Sequence, residues 1–234
     1  MKLRLSSFAL VLLAFFCARS LAHGGDVLSK TSPKLRQFLA DHPRAATLLT
    51  NALAEAFTNR TVQIYYFYSD DEFVPSAFHY YPSENQVVVA LRENEMPLDE
   101  FILLTFEIYN SQSEKSFAEL SRRAKAGAIT RADYAREVLR VEFKAVTRIR
   151  ESLQDLKFTR RETGKSRKYK RFADCPSTFD DFLAYTQAVN STNRNVLNEY
   201  QHQYDLLRGS ATLPAGGRFS GNENQFQYDL SPKH

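Results

Sequence analysis

Glu142 stands in the apolar stripe of a helix, where a charged side chain is costly unless something satisfies it. At about 100° per residue, a helix over residues 131–157 puts Tyr134, Val138, Val141, Ala145, Val146, Ile149, Leu153 and Leu156 on one face, with Glu142 between Val138 and Val146. Arg136, Glu137, Arg140, Lys144, Arg148, Arg150 and Glu151 fall outside that stripe. An unpartnered buried carboxylate costs on the order of several kcal/mol. Glu142 therefore needs a cation, a metal or a set of hydrogen-bond donors. The expected partner is an arginine from another element; a ligand or proton-transfer role is the alternative.

Little else in the chain is arranged for chemistry. Catalytic zinc takes about three protein ligands, usually including two imidazoles one helical turn apart. Of the five histidines, His23 and His234 are terminal, and His42, His79 and His202 lie on separate elements without paired spacing. Gly164-Lys165-Ser166 has the ending of a phosphate-binding loop, but Thr159 occupies the place of its first glycine and no strand precedes it. There is no GxSxG elbow, Cys-His pairing or cysteine cluster, so no cofactor is expected. The second feature is electrostatic. Residues 157–171 carry eight cations, Lys157, Arg160, Arg161, Lys165, Arg167, Lys168, Lys170 and Arg171, against Glu162. Phe158, Tyr169 and Phe172 are interleaved with or adjacent to them. That composition suits either a solvated interhelical loop or one that touches an anionic surface.

The elements that must position these residues are legible from periodicity. Ser32-Pro33 caps a short helix to about Asp41, and Pro43 starts another over 43–57, the pair forming an N-terminal helical cap. Thr61–Tyr68, Ala77–Tyr81 and Gln86–Leu91 are β-branched or aromatic, with Pro82-Ser83-Glu84-Asn85 as the turn of a hairpin over 77–91. Asp70-Asp71-Glu72 is expected to be a solvated loop. Pro97 opens a helix to at least Gln112, with further helix toward Ala126 before Gly127. Thr130 and Asp133, at capping-box spacing, start the helix bearing Glu142. Ser177 is expected to cap a last long helix through Leu207, and the chain from Gly209 has the composition of a disordered tail. The expected fold is α+β: a small antiparallel sheet on a central helix pair, with helices flanking at both ends, in one domain over 23–208.

A strand followed by one helix and then a second helix with a buried glutamate resembles the core of zincin metallopeptidases of the glutamate subclass. The resemblance covers about residues 77–156. The stretch matching the family's HExxH motif is Phe106-Glu107-Ile108-Tyr109-Asn110, in which both histidines are replaced. By the resemblance Glu107 matches the general base and Glu142 the third metal ligand. It implies an inactivated relative without a metal, because two carboxylates lacking imidazoles hold zinc poorly. Ordinary amphipathicity is the competing account of Glu107. Phe101, Ile102, Thr105, Ile108 and Tyr109 would face the core, while Glu107, Asn110, Ser111 and Glu114 would face away.

Lys2 and Arg4, the apolar run Phe8–Phe16 and the small residues of Ser20-Leu21-Ala22 have the organisation of a cleavable signal peptide over 1–22. The expected location is therefore the periplasm or the exterior. Removing Lys2, Arg4 and Arg19 from the formal net charge of +4 leaves +1, and residues 157–171 supply +7 of it, so the remainder is net negative. Cys17 leaves with the signal, making Cys175 the sole remaining cysteine and an internal disulfide impossible. These features favour a non-catalytic binding or structural domain. The alternatives are a hydrolase using Glu107 and Glu142, or a module binding an anionic envelope surface through Arg160, Arg161, Lys165, Arg167, Lys168, Lys170 and Arg171. A protein partner is also open, and nucleic acid is disfavoured by export.

Overall fold

The computed structural model of the chain describes residues 27–57, 60–68, 76–81, 84–189 and 196–210. Residues 1–22, expected as a signal peptide, the acidic run 70–72, residues 82 and 83 of the expected turn and the residues beyond 210 lie outside these. Helices α1 (Pro33–Asp41) and α2 (Pro43–Ala56) lead into strands β1 (Thr61–Phe67), β2 (Ala77–Tyr81) and β3 (Gln86–Arg92). Then follow α3 (Pro97–Ser111), α4 (Glu114–Lys125), α5 (Arg131–Leu156), α6 (Arg160–Lys165), α7 (Arg167–Ala173), α8 (Phe179–Val189) and α9 (Val196–Leu207). The fold is α+β, as expected. Among the described residues no helix is long and apolar enough to cross a membrane.

The sheet order is β1-β3-β2. The hairpin is antiparallel, with Phe78 opposite Val89 and Tyr80 opposite Val87. Yet β1 lies along the other side of β3 in the same direction, aligning Val62 with Val87 and Ile64 with Val89. The sheet is thus mixed, not antiparallel. Side-chain alternation reports which face of a strand is buried and is blind to the direction of its neighbour. Val87, Val89 and Leu91 are fully buried against the helices.

Three helical expectations are corrected. The segment 157–171 is not a loop: its N-terminal signals are strong enough to wind two short helices. Thr159 and Glu162 close a capping box on α6, and the Ser166 hydroxyl caps α7 by accepting from the Tyr169 amide. The last helical segment is described as α8 and α9, residues 190–195 between them lying outside the described set, and the side chain capping α8 is Thr178 rather than Ser177, its Oγ1 accepting from the Asp181 amide at 3.2 Å. The 97–126 segment breaks between Ser111 and Glu114.

The apolar interior is divided. One cluster joins α1, α2, the inner sheet face and α3 to the C-terminal half of α5 at Ala145, Val146, Ile149 and Leu153. The other joins α4 and α9 to the N-terminal half of α5 at Tyr134, Val138, Leu139 and Val141. Residue 142 stands where α5 passes from one cluster to the other.

Candidate functional site

Helix α3 is the element that the amphipathic account described wrongly. Thirteen of its fifteen residues are buried, so it has no solvent face to receive polar side chains. Glu107 and Asn110 are each 3 % exposed. A helix apolar on one side and polar on the other normally covers a core, but the sheet, α2, α5 and α7 enclose this one. Its polar residues must therefore be satisfied internally.

Glu107 is satisfied by donors. The Ser76 hydroxyl, just before β2, donates to its Oε1 at 2.6 Å. The Asn110 side chain, one turn further along α3, also hydrogen-bonds it, leaving Asn110 Oδ1 buried without a partner among the described residues. Burial pushes the Glu107 carboxyl up to about 8, the Ser76 bond opposes this, and the negative charge of Glu142 adds to it.

Glu142 belongs to the same site. It is half-buried, and its hydrogen-bond partner is the hydroxyl of Tyr200 on α9. Burial pushes its carboxyl up to about 7; the Tyr200 bond and the more distant charge of Arg171 pull the other way. The arginine expected as its partner is not in contact. Among the described residues Glu142 forms no ion pair, and Arg171 is exposed on α7, acting through its field alone. A tyrosine hydroxyl can take an arginine's place because a carboxyl that holds its proton needs hydrogen-bond partners, not a countercharge.

Tyr200 itself is driven well up by burial and by the Glu142 charge, so it remains a hydroxyl and a donor. Tyr134 lies nearby in the same cluster and is hydrogen-bonded to Ser121; burial pushes it up to about 12. The site is a carboxyl pair spanning α3 and α5, ringed by the hydroxyls of Ser76 and Tyr200 and the amide of Asn110. With both carboxyls raised, the pair holds at least one proton near neutral pH. Ionisation begins at Glu142, whose charge then delays Glu107.

Among the described residues, metal-binding groups do not converge here. No group of three or more His, Cys, Asp or Glu side chains suited to a metal occurs among the described residues. His42 lies at the α1–α2 joint, stacked on Phe38 and 2.7 Å from Glu162. His79 sits on β2 against Tyr81, its pKa lowered by burial and its Nδ1 without a partner among the described residues. His202 is on α9. None contributes a hydrogen bond or a charge to either carboxyl. Phe106, at the first motif position, packs its ring 5.1 Å from that of Phe172 on α7.

The basic residues lie elsewhere. Arg160, Arg161, Lys165, Arg167, Lys170 and Arg171 are exposed on α6 and α7, and Lys168 is half-buried with its pKa lowered by burial. Sequence reasoning missed Ser76 and Tyr200. Ser76 had no pattern to mark it. Tyr200 lies in the segment expected as the last long helix, and its signal was its residue type, since a buried tyrosine brings a hydroxyl that must find a partner. Comparison with protein-family models, curated proteins and solved structures returns no match.

Proposed function

We propose that the chain is an exported domain related to zincins that has lost zinc chemistry and acts by binding rather than by hydrolysis. One observation carries this reading: Glu107 and Glu142, the positions that the resemblance assigns to base and third ligand, lie within each other's field across α3 and α5. The positions of the two histidines are filled otherwise. Phe106 is committed to packing on Phe172, and Asn110 to a hydrogen bond with Glu107. A carboxyl pair retaining a proton is also a poor ligand set, because metal ligands must be deprotonated. Export rests on the basic and apolar pattern of residues 1–22.

The test is to restore what is missing. Phe106→His with Asn110→His should take up zinc stoichiometrically through the two new imidazoles and Glu142, whereas the wild-type protein, purified without chelators, should carry none. Stoichiometric zinc or manganese in the wild type overturns the metal-free reading, and a folded double variant that binds no zinc overturns the ancestry. A second reading draws on the unequal proton affinities of the pair, which suit one carboxyl as acid and the other as base. An ester or peptide hydrolysis abolished by Glu107→Gln would replace binding with catalysis.

A further inference from the structure

We infer that α6 and α7 form a docking surface for a membrane bearing anionic phospholipid headgroups. This rests on the reading of the domain as a binding module and supplies its partner.

The elbow is held from inside. Ser166, at the bend, is fully buried, and its hydroxyl donates to Asp99 of α3, which also accepts from the Lys168 amide at 3.2 Å. Phe172 is buried in the larger apolar cluster, and Phe158 and Tyr169 pack against it. The aromatic residues that could have inserted into a bilayer are therefore used in the core. What remains outside is charge. On α7, Arg167, Lys170 and Arg171 follow the i, i+3, i+4 spacing that places side chains on one helix face; on α6, which packs on α7, Arg160, Arg161 and Lys165 are exposed as well.

Most of this charge is not neutralised locally. Glu162, the only acid of the segment, caps α6 and contacts His42. Among the described residues Arg160, Arg161, Lys165, Lys170 and Arg171 form no ion pair, whereas Arg60, Arg122, Arg131 and Arg148 each hold a carboxylate. A fixed patch of point charges without inserted aromatics suits a broad, laterally fluid anionic surface. Binding of that kind is peripheral and falls as salt shortens the Debye length.

The experiment is cosedimentation of the mature protein with vesicles of phosphatidylglycerol in phosphatidylcholine, at about one third anionic lipid. Binding is expected at about 0.05 M salt and should be lost by about 0.5 M. Each cation removed should weaken partitioning about fivefold, so Arg160→Gln/Arg161→Gln/Lys165→Gln should lose roughly a hundredfold. A second variant, Arg167→Gln/Lys170→Gln, leaves Arg171 near Glu142 intact and should lose roughly twenty-fivefold. Equal binding to pure phosphatidylcholine, unchanged binding by both folded variants, or retention of a soluble polyanion without vesicle binding overturns the proposal. The Phe106→His/Asn110→His zinc result does not depend on these cations, so failure of the vesicle assay leaves that reading standing.

Discussion

Replacing Glu107 by glutamine should make the protein more stable at alkaline pH and leave it nearly unchanged at acid pH. The side chain is 3 % exposed and its carboxyl is pushed from 4.5 up to about 8. At about 1.4 kcal/mol per tenfold change in proton affinity, that gap is worth roughly 5 kcal/mol, an upper value because relaxation and water entry soften buried charges. A measured effect of about 3 kcal/mol is expected. The sign follows from linkage. Between 4.5 and about 8 the folded protein holds protons that the unfolded chain releases, so stability is full below 4.5 and is lost as pH rises through about 7 at Glu142 and about 8 at Glu107. The amide introduced by Glu107→Gln would keep the carbonyl acceptor for Ser76 and could not ionise. Urea unfolding followed by circular dichroism and tyrosine fluorescence, the chain having no tryptophan, should give equal stabilities within about 1 kcal/mol near pH 5 and a more stable variant near pH 9. Glu142→Gln should behave similarly with a smaller gain, since that residue is only half-buried. A loss of about 3 to 5 kcal/mol at both pH values in either variant would refute the reasoning and restore a buried ion pair.

Three further outcomes test neighbouring parts of the structure. Tyr200→Phe removes the donor to Glu142 and should cost about 1.5 to 3 kcal/mol above pH 7, where the acceptor is ionised, and less near pH 5; equal costs at both pH values in urea titrations would show that the hydroxyl does not serve the charged form. Ser166→Ala should destabilise the fold by about 1 to 3 kcal/mol by leaving Asp99 without its hydroxyl donor and α7 without its cap, read as a lower urea midpoint. Cys175, buried with its thiol pushed up to about 11, should react with a disulfide reagent only as fast as the protein opens; immediate reaction in native buffer would contradict that burial.

The sequence carried more of the fold than of the site. Helix and strand positions followed from periodicity and caps, and the α5 stripe identified Glu142 as an exception. The direction of β1 was not legible, because parallel and antiparallel neighbours bury the same alternate residues. Glu107 was misread by the amphipathic account for a related reason: polar residues at i, i+3 and i+4 mark a solvent face only when nothing packs on it, and α5 and α7 do so here. The partner of Glu142 depended on a contact from α9, nearly sixty residues away, which no local pattern encodes. The expected arginine was the cheaper answer for an ionised group. The structure gives the answer for a protonated one.

The place of the carboxyl pair explains why it can be tolerated. Two apolar clusters meet along α5, and residue 142 lies at their junction, where α3 approaches from one side and α9 from the other. Elsewhere the junction is bridged by hydrocarbon, Phe117 and Phe182 packing against both clusters. A carboxyl instead takes a hydroxyl from α9 and shares the field of Glu107 on α3. Because Tyr200 keeps its proton, its bond to Glu142 persists when the carboxyl ionises. The repulsion that appears with ionisation therefore acts between α3 and α5, not between α5 and α9. Loss of stability at high pH should begin at the α3–α5 contact, and amide exchange in those two helices should quicken before exchange in α9.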